Sequence, residues 1–385
     1  MTMKKVTVVI TARPSYSRIK TALQAIKEHP ELELQLVVAA SALLDRYGSV
    51  VNTIEKDGFN ISEKVFMVLD GENPTSMAKT TGLGVMELST TFLNLNPDVV
   101  VTIADRYETI ATAIAAAYMN IPVVHVQGGE VTGSIDEKVR HAITKLADLH
   151  LVSSEQASKN VIKMGENPDN VLITGCPSLD IANEVRSKPD LNIDIFEKYG
   201  GVGNAIDLNK KFVVVLQHPV TTEYENAFND IVETLEAVHE ASIQAIWFWP
   251  NVDAGSDGTS KGIRGFREKQ PEAKIHYFKG MEPVDFLKLL LKSSMIIGNS
   301  SVGIRECSFL GVPAVNIGSR QIKRERGKNV IDVLHVKNEI KEAIDQHLCL
   351  NDHTSENIYG DGMAGKKIAD AIHKWKPTFK KVLNY

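Results

Sequence analysis

Short runs rich in valine and isoleucine alternate with longer stretches of helical periodicity along almost the whole chain. In the first half, residues 6–10, 34–38, 99–104, 123–126, 150–153 and 171–174 are mainly apolar. That is the pattern of strands buried on both faces of a parallel sheet. The segments 17–27, 76–95, 110–119 and 135–147 between them place apolar residues at helical spacing. This alternation predicts one doubly wound α/β half. After Gly175-Cys176-Pro177-Ser178 the pattern pauses in a polar stretch, 188–210, rich in Asp, Asn and Gly, and the boundary between two halves is expected there. The theme then resumes. Strands are expected at 212–217, 243–249, 274–277, 295–297 and 314–316, and helices at 222–239, 284–291 and 303–310. Two such halves on either side of a cleft would turn the carboxyl-end loops of their strands toward each other, where closure can enclose a ligand.

Bulk properties narrow the classes. A chain of 385 residues, 43% hydrophobic and 24% charged, suits two ordinary globular domains. A net charge of -5 argues against nucleic acid or a polybasic membrane surface, so any anionic ligand must be held by local donors. Cys176, Cys307 and Cys349 are too few and too scattered for a disulfide framework or a Cys-rich zinc site. Among the eleven histidines no His-x-x-x-His occurs, and there is no Cys-x-x-Cys, so no metal is expected. No apolar run approaches a membrane span, and the short run at 6–10 reads as a first strand rather than a signal peptide; a cytoplasmic protein is expected.

Polar residues gather where the strands end. The run at 123–126 leads through Gly128-Gly129 to a helix expected near Ser134, with Glu137 completing a capping box. This reading puts His125, Glu130 and Asp136 on the loop and Arg140 and His141 on the helix. A solvated loop before a capped helix would not need two carboxylates, an imidazole and a guanidinium. At the first strand end, Thr11-Ala12-Arg13-Pro14-Ser15-Tyr16-Ser17 offers a helix start with a fixed charge, and Ser15 or Ser17 as a cap, a preferred place for phosphate. Asp105 and Arg106 follow the run at 99–104, as either a structural ion pair or a catalytic carboxylate beside an anion-binding arginine.

The second half repeats the arrangement. Gly298-Asn299-Ser300-Ser301-Val302-Gly303 joins a strand to a helix, and two small hydroxyls with helix-start N–H groups suit a diphosphate. Glu306, one turn on, can accept from ribose hydroxyls. His218 in Gln217-His218-Pro219, Asn251 after Trp249-Pro250, and Arg320 in Gly318-Ser319-Arg320-Gln321 lie at further strand ends. The G-x-G-x-x-G of Gly360 to Gly365 follows no strand, so it is not a dinucleotide fingerprint and no nicotinamide is expected.

With these motifs in view, the chain resembles the hydrolysing UDP-N-acetylglucosamine 2-epimerases, in particular the epimerase half of the bifunctional animal enzyme of sialic-acid synthesis. The segments that carry the likeness are Gly128-Gly129-Glu130 through Lys145, Leu216 to Thr222, Gly298-Asn299-Ser300-Ser301, Gly318-Ser319-Arg320-Gln321 and Ile358-Tyr359-Gly360-Asp361-Gly362. It runs from about Val6 to the last helix.

The resemblance implies two Rossmann-like doubly wound domains facing a cleft, the GT-B architecture, with UDP held mainly by the second. The expected domains are 1–176 and 177–362, with 363–385 a final helix crossing back to the first. Carried over by position, Arg13, Ser17, Arg106, His218, Asn251, Ser300, Ser301, Glu306 and Arg320 match the family's UDP and sugar contacts. Asp105, Glu130 and Asp136 match its catalytic carboxylates, with His125, Arg140 and His141 in support. No cofactor is implied, and a homodimer or homotetramer is expected. Pro14 and Ser15 depart from the family's first loop. Ala42, Ile103 and Asp148 replace histidines of the animal form. Asp257 replaces a lysine near that enzyme's feedback site for CMP-sialic acid, which weakens the expectation of such feedback.

The chemistry fits such a residue set. The hydrogen on sugar carbon 2 is barely acidic until the bond from carbon 1 to UDP begins to break. A cofactor-free epimerase therefore needs donors for the departing diphosphate and a carboxylate for the proton. Crowded carboxylates spread their pKa values, giving one acid and one base. The expected reaction takes UDP-N-acetylglucosamine and water to N-acetylmannosamine and UDP. The alternatives are the same chemistry on a UDP-linked 2,4-diacetamido-2,4,6-trideoxy sugar, a GT-B glycosyltransferase, or a nucleotide-sugar-binding regulator without turnover. The carboxylates of the Glu130–Asp136 loop argue against the last two.

Overall fold

The valine-rich runs of the first half all become strands of one parallel sheet. The computed structural model describes residues 3–44, 50–70, 73–103, 106–131, 135–220, 223–250, 255–349, 354–378 and 381–384, apart from the side chains of Ile135 and Asp136. The elements in chain order begin β1 (Lys4–Ile10), α1 (Arg13–Glu28), β2 (Leu32–Ala39), α2 (Val50–Lys56), β3 (Ile61–Val65), α3 (Pro74–Leu95) and β4 (Val99–Ile103). They continue with α4 (Thr109–Tyr118), β5 (Val123–Val126), α5 (Ile135–Leu146), β6 (Leu149–Val152), α6 (Glu155–Lys163), β7 (Val171–Ile173) and α7 (Ser178–Ser187). The sheet order is β3-β2-β1-β4-β5-β6-β7. Chain direction across the sheet reverses between β1 and β4, the position where doubly wound sheets bind ligands.

The second half comprises α8 (Ile195–Tyr199), β8 (Val202–Gly203), β9 (Phe212–Leu216), α9 (Ala227–Glu240), β10 (Gln244–Phe248), α10 (Ser256–Lys269) and β11 (Ile275–Phe278). Then follow α11 (Pro283–Lys292), β12 (Met295–Gly298), α12 (Glu306–Leu310), β13 (Ala314–Ile317), β14 (Val330–Val333) and α13 (Lys337–Cys349). Its sheet runs β14-β13-β12-β9-β10-β11-β8, parallel except for β8 at the edge. Its switch point lies between β9 and β12. The chain divides into two compact units, one of Met1–Asp180 with Tyr359–Tyr385 and one of Ile181–Ile358.

Period-two alternation sorts β1 between two cores. Val6, Val8 and Ile10 pack with Ile19, Leu23 and Ile26 of α1, while Val9 packs on the opposite face with Leu88 and Phe92 of α3. Full burial of such a side chain contributes roughly 1.5–3 kcal/mol. In the second unit Val213, Val215, Trp247 and Ile297 pack with Ile231, Leu235, Ile263 and Ile344.

The last helix, α14 (Ala364–Lys374), packs on the first unit, with Ile368 and Ile372 in the same core as β1. Charged side chains fix both its ends. Asp180 accepts from the N–H groups of Ala364 and Gly365, both at 2.7 Å, and Lys4 donates to the carbonyls of Ile372, His373 and Trp375. Each charge suits the end of the helix dipole that it meets.

A second ionic cluster lies beside the start of β6. Glu166 accepts from the buried His150 at 3.0 Å and pairs with Lys381 at 2.7 Å and with Lys145. Burial alone would raise Glu166, but hydrogen bonds from His150, Lys145 and Lys381 outweigh it and hold the carboxyl at about 2. The folded value lies below the ordinary one of about 4.3, so the stabilisation is complete above that pH and is lost as pH falls toward 2. Glu166→Gln should therefore lower stability at neutral pH and flatten its fall below about pH 4. Urea unfolding at a series of pH values checks this; an unchanged acid slope would contradict it.

The structure also adds elements that the pattern does not announce. β3, β8 and β14 are edge strands, and β3 exposes Ser62, Glu63 and Lys64 in succession. The helix expected at 303–310 is instead a 3-10 turn at Ser301–Gly303 followed by the five-residue α12. At the break between them, Asn329 Nδ2 donates to the Gly303 carbonyl at 3.2 Å. The helix expected at 222–239 begins at Ala227, after a 3-10 turn at Tyr224–Asn226.

Candidate functional site

At the switch point of the first unit, β1 delivers Thr11 and Ala12 to the start of α1. Thr11 Oγ1 lies 3.2 Å from Thr109 Oγ1, and the Thr11 carbonyl accepts from Ser41 Oγ at 3.0 Å and Ala42 N at 3.1 Å. These bonds anchor the loop to its neighbours. Ala12 occupies the N-cap, so neither Ser15 nor Ser17 caps α1. Arg13 is exposed in the first turn, and Ser17 Oγ folds back on its carbonyl at 3.2 Å. The partner strand β4 leads to Asp105, which lies outside the described residues. Arg106 Nε is 3.0 Å from Oε1 of the buried Glu108, so an ion pair of Arg106 falls two residues on.

β5 supplies the adjoining loop. His125 lies within the strand rather than on the loop, because its ladder pairs it with Thr102 and His150. It is fully buried beneath α5, with Nδ1 3.3 Å from Thr144 Oγ1. Asp136 belongs to the first turn of α5 rather than to the loop, and the cap expected at Ser134 lies outside the described residues.

Glu130 is 8% exposed and its Oε1 accepts from Ser153 Oγ at 2.7 Å. Arg140, 2% exposed, donates to the Glu130 carbonyl at 2.6 Å and approaches Glu137 at 3.3 Å. His141 is exposed and pairs with the same Glu137 at 3.3 Å. Arg140 therefore reaches the Glu130 loop, whereas His141 turns to solvent.

In the second unit one asparagine ties the switch point together. Asn299 Oδ1 accepts from His218 N, and Asn299 Nδ2 donates to the His218 carbonyl, both at 2.8 Å. The Asn299 carbonyl in turn accepts from Arg320 at 3.1 Å and from Gln321 at 2.9 Å. The loops after β9, β12 and β13 are thus one hydrogen-bonded assembly holding His218, Ser300, Ser301 and Arg320. Burial, with the Arg320 charge in second place, pushes His218 down to about 3, so at neutral pH its ring is uncharged.

Ser300 Oγ accepts from Val302 N at 3.4 Å. The N–H groups of Gly303, Ile304 and Arg305 are already committed to the carbonyls of Ser300 and Ser301. The helix-start donors expected from the sequence are therefore fewer, and the hydroxyls and Arg320 carry more of the anion-binding potential. Glu306 opens α12, and Asn251 lies outside the described residues.

Asn299 and Gln321 are the organising residues that sequence reasoning passed over. Both stand inside the motifs at 298–301 and 318–321; the signal was their place at strand ends. Among the described residues no group of three or more His, Cys, Asp or Glu side chains is disposed to hold a metal, and no helix is long and apolar enough to cross a membrane.

Comparison with known proteins gives this site its context. A family profile described as UDP-N-acetylglucosamine 2-epimerase matches residues 24–373. The chain is 32% identical over 383 residues to the UDP-N,N'-diacetylbacillosamine 2-epimerase (hydrolyzing) of Legionella pneumophila, covering 99% of this chain and 98% of that protein. It is 34% identical over 345 residues to polysialic acid biosynthesis protein P7 of Escherichia coli, covering 89% and 85% respectively. The solved UDP-GlcNAc 2-epimerase from Neisseria meningitidis bound to UDP-GlcNAc aligns with a TM-score of 0.79, over 96% of this chain and 100% of that one, at 20% identity. The shared fold is of the GT-B type, built from two Rossmann-like units. The profile match and the two relatives together establish that the chain belongs to the UDP-N-acetylglucosamine 2-epimerase family.

Proposed function

We propose that this protein is a hydrolysing 2-epimerase that converts UDP-N-acetylglucosamine and water to N-acetylmannosamine and UDP, feeding sialic-acid synthesis. The observation that carries the reading is Glu130. In a chain of this family it is a buried carboxylate at a strand end, bonded to Ser153 and braced by Arg140. In this scheme the hydroxyls of Ser300 and Ser301, Arg320, the neutral His218 and Asn251 hold UDP, and Glu306 accepts from the ribose. Arg13, Ser17 and Arg106 meet the phosphates and sugar from the first unit's loops. Asp105, Glu130 and Asp136 share the proton transfers.

The reaction runs in two balanced stages. One carboxylate takes the proton from sugar carbon 2; the electron pair of that bond forms the ring double bond, and the carbon 1–oxygen bond breaks with its electrons leaving on UDP. A protonated carboxylic acid then returns a proton to carbon 2 on the opposite face, and water, deprotonated by a carboxylate, adds at carbon 1. Donors around the diphosphate lower the first barrier by stabilising the charge that grows there.

The second reading also has a specific observation behind it, since the Legionella relative named for UDP-N,N'-diacetylbacillosamine matches nearly the full length of both chains. On that reading the chemistry is unchanged, and the sugar is a UDP-linked 2,4-diacetamido-2,4,6-trideoxy sugar. Incubation with each UDP-sugar in chelator-treated heavy water, without nicotinamide, decides by NMR. The expected products are UDP and N-acetylmannosamine with deuterium at carbon 2. Turnover of the diacetamido sugar alone would select the second reading, and a product that keeps its original hydrogen at carbon 2 would rule out elimination.

Ser301→Leu tests the UDP assignment separately. Loss of the hydroxyl and intrusion of the larger side chain should weaken UDP binding by about 10- to 100-fold in calorimetry. Unchanged affinity would mean that UDP is held elsewhere.

A further inference from the structure

Ser153 directly follows β6, is fully buried, and donates to the Glu130 carboxylate at 2.7 Å. The fold brings the two together through the β5–β6 ladder. Val126 pairs with Leu151, and Gln127 N–H extends the ladder by donating to the Leu151 carbonyl at 2.9 Å. The loop that presents Glu130 has a demanding backbone. Gln127 stands at φ +64 and Gly129 at φ +77, and a Cβ on Gly129 would meet the Ala157 carbonyl oxygen at 2.3 Å. Two side chains hold its main chain: Asn160 Nδ2 donates to the Gly129 carbonyl at 2.8 Å, and Arg140 donates to the Glu130 carbonyl at 2.6 Å. Ser153 acts on the carboxylate itself.

We propose that Ser153 is a positioning residue for the reaction. Its hydroxyl sets the orientation of the Glu130 carboxylate, so that the group meets its proton in a reactive geometry. The inference rests on the proton-transfer role of Glu130 proposed above. Its physical basis is that a hydrogen bond to a charged group is stronger than a neutral one and supports the charged form. A misplacement of about 1 Å at a reacting group can cost on the order of 10²-fold in rate.

Ser153→Ala is expected to lower kcat by about 10- to 100-fold, with KM and UDP affinity within about twofold of wild type. With substrate deuterated at carbon 2, the isotope effect on kcat should grow, because a badly aimed carboxylate makes proton transfer limit turnover. A smaller folded fraction would reduce the rate but leave that isotope effect unchanged. Ser153→Thr keeps the donor and should stay within about threefold of wild-type kcat. If Ser153→Ala does not fold, Ser153→Cys, whose thiol is a weak donor, carries the same expectation. Wild-type kcat or an unchanged isotope effect in the folded donor-deficient variant would overturn the inference. Glu130→Gln, made in parallel, separates the two claims. An active Glu130→Gln removes the assignment of Glu130; an inactive one beside an unimpaired Ser153→Ala removes only the role of Ser153.

Discussion

Replacing Glu130 with Gln, or Asp105 or Asp136 with Asn, is expected to lower turnover by about 10²–10⁴-fold while UDP affinity stays within about twofold of wild type. Each replacement keeps the shape of the side chain and removes its capacity to exchange a proton. In Glu130→Gln the amide oxygen can still accept from Ser153, and the bond from Arg140 survives because it goes to the main chain. The loop should therefore hold its place, and a loss of rate will report chemistry rather than unfolding. UDP affinity should persist because most of its proposed contacts, Ser300, Ser301, Glu306 and Arg320 among them, come from the other unit, and the substitutions leave Arg13, Ser17 and Arg106 in place. Release of UDP measures turnover, calorimetry measures UDP binding, and thermal melting monitors the fold. A variant blocked only in hydration should release the unsaturated sugar, which NMR identifies. Three fully active variants would end the carboxylate mechanism.

Much of this arrangement was legible in the sequence, and the physical reason is burial on two faces. Parallel strands covered by helices on both sides must be apolar at nearly every position, so β1, β4, β5, β9 and β12 stand out as short valine- and isoleucine-rich runs. Edge strands escape that constraint. β3, with sequence I-S-E-K-V, exposes its three central residues and carries no apolar signature. α10 contains three glycines and is polar overall, so few apolar residues mark it, although Ile263 and Phe266 bury its inner face. For α6 the signal existed: Ser154 accepts from Ala157 N as an ordinary N-cap.

The candidate loops were found because they follow strands, but which loops meet was not readable. Strand order is a long-range property, and no local feature says that β9 lies beside β12, 81 residues apart at the His218–Asn299 contact. The same limit hid the link between Ser153 and Glu130. His125 lies inside the run expected as a strand at 123–126 and reads as a loop residue only for its polar side chain; the ladder to β4 and β6 keeps it in the strand.

The last residue of β12 provides the sharpest test of that long-range assembly. Gly298 has φ +133, a conformation close to exclusive to glycine, and it pairs with Leu216 at the end of β9. A Cβ there would lie 2.2 Å from the Leu216 carbonyl oxygen and 2.6 Å from its carbon, both main-chain atoms that no rotamer change can move. Gly298→Ala must therefore part the ends of β9 and β12, and with them the Asn299 clamp on His218. The expected loss of stability is about 3 kcal/mol or more, from strain and overpacking together. UDP affinity of the folded fraction should fall about 100-fold, because the loops bearing His218, Ser300 and Ser301 lose their register together. Gly265→Ala is the matched control. Gly265 lies within α10 with no atom near its Cβ position, so alanine there should raise stability by up to about 1 kcal/mol and leave UDP binding unchanged. Urea unfolding and calorimetry on both variants check the pair. A stable Gly298→Ala would show that the two strand ends can separate at little cost, and a folded Gly298→Ala that binds UDP as tightly as wild type would remove this switch point from the UDP site.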